Sequence, residues 1–200
     1  MSKVRVAIMA SGEGSNARAL ILHERTKPEC SFTIACIITN KRDAGVVQVA
    51  EHFGIPCFMI PFVKRDEKDI VNELSGILKM QNIEFICLAG FLKKIPGAIT
   101  EVFKQKIINI HPSLLPAFGG HGMFGRNVFD AVLKAGVRVT GVTVHRVSEE
   151  YDEGAGIFRE EISVDDDETV ESLSRKTKEV EHRIYPEVLE AECARFGQKS

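Results

Sequence analysis

The stretch "VRVAIMASGEGSNARALILHER", residues 4–25, decides the fold expected of this chain. A mostly apolar run predicts a strand over residues 4–9, and apolar positions at helical spacing predict a helix over residues 16–25. Gly12 and Gly14, separated by one residue, lie in the turn between them. A glycine turn that leads from a strand into a helix N-terminus exposes backbone N–H groups, so this stretch predicts a phosphate site.

Short apolar runs and helical patterns alternate along the rest of the chain. The predicted strands cover residues 32–39, 56–60, 85–90, 106–111, 137–147 and 156–164. The predicted helices cover residues 45–54, 66–81 and 127–136 and a tail that begins at Thr169. Near-continuous apolar strands separated by helices indicate a parallel sheet covered on both faces, whereas the short loop before the last strand favours an antiparallel pair. We therefore predict a single-domain, Rossmann-like α/β fold: a mostly parallel twisted sheet with helices on both faces and antiparallel strands in the C-terminal half.

Length and composition limit the class of protein. With 200 residues, 44% of them hydrophobic, the chain can build one sizeable core; we predict one domain over residues 1–200, with a peripheral tail from about residue 187. The formal net charge is −2 and the sequence has no block of basic residues, so it gives no positive electrostatic field that would attract nucleic acid. No apolar run reaches the length of a membrane span, and the first residues do not form a signal peptide. The sequence predicts neither nucleic acid nor a membrane as partner.

Cysteine and histidine spacing gives no sign of a metal centre. The five cysteines are odd in number, lie far apart and include no C-x-x-C pair. Such spacing indicates neither a disulfide framework nor a zinc site, and it favours a reducing, cytoplasmic setting. The histidines form no H-x-x-x-H or H-x-H pair, so the sequence predicts no metal.

The glycine loop permits more than one interpretation. "GEGSNA" (12–17) fits G-x-G-x-x-A, but a dinucleotide fold needs an acidic residue where the second strand ends, and residues 39–42 are Thr-Asn-Lys-Arg. No G-K-[ST] follows, which excludes a nucleoside-triphosphate P-loop. What remains is a nest of backbone N–H groups for one phosphate monoester, with Ser15 and Asn16 as additional donors and helix caps. A tight turn with a capping side chain is the alternative.

A polar pair ends the strand predicted at 106–111. Asn109 and His111 are two residues apart and so point to the same side of a strand, and Pro112 then leads the chain out of the sheet. An amide beside an imidazole can stabilise the oxyanion that forms when a carbonyl is attacked, and the imidazole can move a proton near neutral pH. The alternative is a core histidine with a satisfied hydrogen bond.

Asp152 is the third polar feature, in a loop that contains glycines able to turn sharply toward a ligand. A carboxylate near His111 would orient the imidazole and raise its pKa. The alternative places Asp152 in an exposed acidic turn with Glu149, Glu150 and Glu153.

Three polar segments follow predicted parallel strands: "SGEGSN" (11–16), "AGFLKKI" (89–95) and "NIHPSLLP" (109–116). Ligands of open parallel sheets bind beyond the carboxyl ends of the strands, so we expect the three segments to converge on one site.

These segments, followed by "YDEG" (151–154), resemble the phosphoribosylglycinamide formyltransferases of purine synthesis. The resemblance extends from Val4 to about Pro186. Within it, "NIHPSLLP" is specific to the folate-dependent formyltransferase superfamily, and "GEGSN" to those members that take a ribonucleotide phosphate. The resemblance implies an enzyme that transfers the formyl group of 10-formyltetrahydrofolate, its co-substrate, to the amine of 5-phosphoribosylglycinamide, without a metal.

The same resemblance implies that Asn109, His111 and Asp152 are the catalytic residues. Asn109 and His111 would stabilise the tetrahedral oxyanion, with protonated His111 favoured by Asp152. It also implies two sets of binding residues. Those for the ribonucleotide are Gly14, Ser15, Asn16, Lys178 and Glu181. Those for the folate are Arg65, Leu92, Lys93, Lys94, Ile95, Asn109, Ser148, Glu149, Glu150, Tyr151 and Asp152, with Arg65 or its neighbour Lys64 expected at the glutamate tail.

Two other functions compete with this hypothesis. Hydrolysis of the same folate would use water instead of the amine, and the phosphate loop argues against it. A nucleotide-binding module without catalysis would keep "GEGSN" but has no use for Asn109 and His111 together.

As for assembly, the sequence is compatible with a monomer or a homodimer.

Overall fold

The computed structural model describes residues 3–197 of the chain as seven strands and six helices. The strands are β1 (Val4–Ala10), β2 (Phe32–Thr39), β3 (Cys57–Met59), β4 (Phe85–Leu88), β5 (Ile107–His111), β6 (Val139–Arg146) and β7 (Gly156–Ser163). The helices are α1 (Ser15–Thr26), α2 (Gly45–Phe53), α3 (Glu67–Met80), α4 (Gly97–Val102), α5 (Arg126–Ala135) and α6 (Val170–Gly197).

All seven strands form one sheet in the order β3-β2-β1-β4-β5-β6-β7. The pairs from β3 to β5 are parallel, and the pairs β5–β6 and β6–β7 are antiparallel, so β6 alone runs against the others. The predicted α/β fold class is thereby confirmed, including the antiparallel strands of the C-terminal half.

The sheet is covered on both faces because side chains alternate along each strand. In β1, Val6 and Ile8 pack into one core with helices α1, α2, α5 and α6. Ala7 and Met9 point the other way and pack into a second core with α3 and α4. Each of these four side chains is fully buried. This two-sided burial explains why the central strands are almost continuously apolar.

Two features differ from the expectations. Helix α4 is not indicated by the sequence, because a helix of six residues is too short to display an apolar period. The tail from about residue 187 is not peripheral: α6 continues to Gly197, and Leu189 and Cys193 are fully buried against the first core. Their burial is the physical reason for the correction. No helix in the described residues has the combination of length and apolar character that a membrane span requires.

Candidate active site

A cavity of about 690 Å³ opens at the carboxyl edge of the parallel strands. Its walls come from the loops after β1 and β4, the end of β5, the segment 120–126, the loop between β6 and β7, and helices α5 and α6. The three polar segments expected to converge therefore do so, and a fourth segment with Asp152 joins them.

Asn109 and His111 lie at the end of β5, and both line the cavity. The His111 side chain is only 5% exposed, and its Nε2 lies 2.9 Å from the carbonyl oxygen of Phe118, to which it donates. The turn after β5 is held by Thr143, whose hydroxyl donates to the Ser113 carbonyl and accepts from the Leu115 N–H. These two hydrogen bonds hold the turn that directly follows Asn109 and His111.

Asp152 lies beside the imidazole and not in an exposed acidic turn. Its Oδ2 is 3.6 Å from Nδ1 of His111 and accepts a hydrogen bond of 2.9 Å from the Gly120 N–H. Its side chain is 12% exposed and its φ is 58°, a left-handed conformation. Although burial opposes ionisation, the nearby His145 and His111 and the hydrogen bond from the Gly120 N–H together lower the pKa of Asp152.

The electrostatics of His111 correct one expectation. We expected Asp152 to raise the imidazole pKa, and it does act in that direction, as does the Phe118 carbonyl. Burial acts more strongly in the other direction, so the pKa of His111 is lowered overall. This direction favours the neutral imidazole in the free protein, and the carboxylate favours its protonation when charge develops nearby.

His145 is a site residue that the sequence did not identify. It lies directly opposite Asn109 in the antiparallel β5–β6 pair. Its Nδ1 donates to the Arg146 carbonyl at 2.8 Å, and its Nε2 lies 3.1 Å from Nδ2 of Asn109 and 3.5 Å from Oδ1 of Asp152. In this tautomer Nε2 accepts one amide hydrogen of Asn109, which leaves the second hydrogen for a ligand.

The glycine loop leaves backbone donors available. Gly14 has a φ of 81°, and a Cβ there would lie 2.8 Å from Cα of Val46, so the loop needs glycine at this position. Helix α1 begins at Ser15 with no side-chain cap, contrary to the capping predicted for Ser15 and Asn16. The N–H groups of the first helical turn lack intrahelical acceptors, and Ser15 and Asn16 line the cavity. An anion can therefore bind there.

Asn16 instead connects the loop to helix α6. Its Nδ2 donates to Glu181 Oε2 at 2.9 Å, and its buried Oδ1 has no protein partner. Burial raises the pKa of Glu181 to about 7, although Asn16 and Lys178 act in the opposite direction. Lys178 Nζ lies 3.1 Å from Glu13 Oε2, an exposed ion pair at the same edge of the cavity.

The segments predicted for the folate line the same cavity, except Arg65. Leu92, Lys93, Lys94 and Ile95 form one part of the wall, and Ser148, Glu149, Glu150, Tyr151 and Asp152 form another. The Ser11 hydroxyl anchors the first part by accepting from the Leu92 N–H at 2.9 Å.

Arg65 lies just before α3, outside the described lining of the cavity, and its guanidinium donates to Glu73 at 2.6 Å. The expected contact with a glutamate tail is therefore not supported by its position.

A Rossmann-like sheet that combines a helix start able to bind an anion with a buried imidazole and a partly buried amide and carboxylate fits an enzyme that transfers an acyl group. The comparisons with known proteins define this class further. The model of the formyl transferase family matches residues 4–189, so the chain belongs to that family.

Similar proteins within this family share a more specific name. The chain is 38% identical to the chloroplastic phosphoribosylglycinamide formyltransferase of Arabidopsis thaliana over 94% of its length, and spans 65% of that relative. It is 35% identical to the phosphoribosylglycinamide formyltransferase of Bacillus subtilis, with 92% of each chain covered. The crystal structure of the phosphoribosylglycinamide formyltransferase from Anaplasma phagocytophilum matches with a TM-score of 0.87 at 34% identity, covering 96% of this chain and 88% of that one.

Proposed function

We propose that this chain transfers the formyl group of 10-formyltetrahydrofolate to the amine of 5-phosphoribosylglycinamide, a step of purine synthesis. One observation carries the proposal: a single cavity is lined by free helix N–H groups, by a buried carboxylate on α6 and by the Asn109–His111–Asp152 group. The names of the relatives supply phosphoribosylglycinamide as the formyl acceptor, the family implies the folate donor, and the cavity offers a candidate subsite for each.

The ribonucleotide phosphate binds at Gly14, Ser15 and Asn16, where the helix dipole and the unpaired N–H groups favour an anion. The phosphate would displace the Glu13 carboxylate as the partner of Lys178, because both carry negative charge and Lys178 lines the cavity. Glu181 then faces the ribose and glycinamide portion. Binding the phosphate at a distance from the reacting atoms positions the amine for attack.

The folate occupies the wall formed by residues 92–95 and 148–152. The apolar side chains of Leu92 and Ile95 suit the face of the pterin ring, and the loop 148–152 offers backbone groups for its polar edge. The formyl carbon is thereby held near Asn109 and His111.

The transfer needs no covalent intermediate with the protein. The amine nitrogen forms a bond to the formyl carbon, and the bond from that carbon to N10 of the folate breaks. Asn109 donates its free amide hydrogen to the developing oxyanion, and His111, protonated with the help of Asp152, stabilises the same charge. A proton passes from the amine to N10, through water, which gives tetrahydrofolate and the formylated ribonucleotide.

A coupled assay tests the proposal. Purified protein is mixed with 10-formyltetrahydrofolate, with and without 5-phosphoribosylglycinamide, and tetrahydrofolate formation is followed. We expect formation only with both substrates, and about 100-fold or greater loss in His111→Ala. Formate release without the ribonucleotide would indicate the hydrolase instead, and NAD binding without folate binding would indicate a nucleotide-binding module.

Binding measurements separate the two subsites. Asn16→Ala should weaken the ribonucleotide and leave folate affinity unchanged, because Asn16 lies at the anion-binding loop and bonds to Glu181. A loss of folate binding alone would contradict the assignment.

Assembly as a monomer or a homodimer stays a prediction, as does the cytoplasmic setting, which the five free cysteines support.

A further inference from the structure

His23, Cys30 and Glu190 bring three metal-ligating side chains together, away from the cavity lining. His23 lies on α1, Cys30 precedes β2, and Glu190 lies on α6. Their ligand atoms all lie within 4.8 Å of one another. We propose that these three residues form a zinc site that joins α1, the start of β2 and α6.

Two of the three distances between the ligand atoms can be compared with those of a tetrahedral zinc site. Nε2 of His23 lies 3.4 Å from Oε2 of Glu190, and Sγ of Cys30 lies 3.0 Å from the same oxygen. Zinc bonds to nitrogen, oxygen and sulfur place such ligand atoms about 3.3–3.7 Å apart. The nitrogen–oxygen separation falls in this range, whereas the sulfur–oxygen separation is shorter because the thiol donates a hydrogen bond to the carboxylate. Zinc would require small side-chain rotations that lengthen it, with water in the fourth position.

The surroundings already orient the ligands. The Ser31 N–H donates to Oε1 of Glu190 at 2.9 Å, which leaves Oε2 directed at the cluster. The His23 ring stacks on the Phe32 ring at a centroid distance of 6.0 Å and an interplanar angle of 5°. Supporting contacts of this kind set the orientation of metal ligands and raise affinity.

Charge and protons are balanced in the proposed site. The thiol of Cys30 donates to Glu190 in the metal-free protein. Zinc displaces the thiol proton, which passes to the buffer as the sulfur–zinc bond forms. The thiolate and the carboxylate then neutralise the divalent ion, and the imidazole binds it as a neutral ligand. Two cationic side chains act electrostatically on the cluster, Lys3 on Cys30 and Lys27 on Glu190. Their positive charge opposes zinc binding, and neither lysine is a proposed ligand.

The sequence analysis did not identify this site because its three residues do not lie close together in the sequence. The prediction of no metal depended on histidine and cysteine pairs close in sequence, whereas 160 positions separate Cys30 from Glu190. The ion would stabilise the fold by binding only the native arrangement of three elements. The proposed formyl transfer does not use it.

Titration of the metal-free full chain with zinc, by calorimetry and against a chromophoric chelator, tests the site. We expect one equivalent to bind, one proton to be released near neutral pH, and the melting temperature to rise. Cys30→Ser and Glu190→Gln should each weaken binding by more than about tenfold. Cys57→Ser is the matched control, because it removes an exposed thiol outside the cluster.

Cobalt distinguishes this cluster from the imidazoles of the cavity. The described lining of the cavity contains no cysteine, so a thiolate-to-cobalt charge-transfer band cannot arise from the cavity. The band should be present in the wild type and in Cys57→Ser and absent in Cys30→Ser. If Cys30→Ser fails to fold by circular dichroism, His23→Gln replaces it in the chelator assay. Absence of saturable one-to-one uptake, or no effect of these changes, would overturn the proposal.

Discussion

Nδ1 of His111 lies 3.6 Å from Oδ2 of Asp152, and both side chains are almost removed from solvent. The other carboxylate oxygen lies 3.5 Å from Nε2 of His145, so one carboxylate lies beside two imidazoles. Oδ2 also accepts from the Gly120 N–H, which connects the glycine-rich segment to the same group. Asp152 is thus the residue on which the arrangement of the candidate site depends most.

Asp152→Asn should lower kcat by about 100-fold or more, because an amide cannot favour the protonated imidazole during transfer. Steady-state kinetics with both substrates measure the effect. Glu153→Gln, an exposed neighbour in the same loop, is the control and should keep wild-type kcat. Equal activity of the two variants would contradict the role given to Asp152.

The same variant should change how His111 titrates. Burial lowers the pKa of His111 and Asp152 partly offsets this effect, so Asp152→Asn should lower the pKa further. An NMR titration of the ring carbon resonances in the free protein measures both values. An upward change in the variant would show that the carboxylate does not act on this imidazole as inferred.

His145→Phe should remove the acceptor that orients Asn109, since Nε2 lies 3.1 Å from the amide nitrogen. We expect kcat to fall roughly tenfold, less than on removing an oxyanion donor outright, with little change in the KM for the ribonucleotide. His145→Gln keeps an acceptor and should recover part of the loss. A purely structural role would instead appear as a lower melting temperature with unchanged kcat in the folded fraction.

Glu181→Gln should make stability less dependent on pH. The pKa of Glu181 rises from 4.5 to about 7 on folding, so the unfolded chain releases this proton first as pH rises. The wild type therefore loses stability between about pH 4.5 and 7, by about 3 kcal/mol at most, and the loss then levels off. The variant lacks this loss.

Urea unfolding of the free protein at several pH values between about 5 and 8.5 measures that difference. Glu179→Gln, an exposed position two residues earlier on α6, should follow the wild type at every pH. A constant offset between Glu181→Gln and the wild type across the range would mean that Glu181 ionises normally in the folded protein.

Local patterns predicted the parts of the site that lie close together in sequence. Asn109 and His111 share a side of β5 because two positions separate them, and Gly14 marks the turn before α1. His145 could not be found in this way, because its place opposite Asn109 depends on the register of an antiparallel pair. The burial of Leu189 and Cys193 likewise depends on how α6 packs, which no local period reveals.

The bond from Asn16 to Glu181 joins residues 165 positions apart, across the cavity edge. Asn109, His111 and Asp152 come from segments between these two positions. A chain that is still being synthesised therefore cannot assemble the proposed ribonucleotide subsite until helix α6 has been made. We therefore expect a fragment that ends before Glu181 to lack the proposed activity, even where its earlier elements fold.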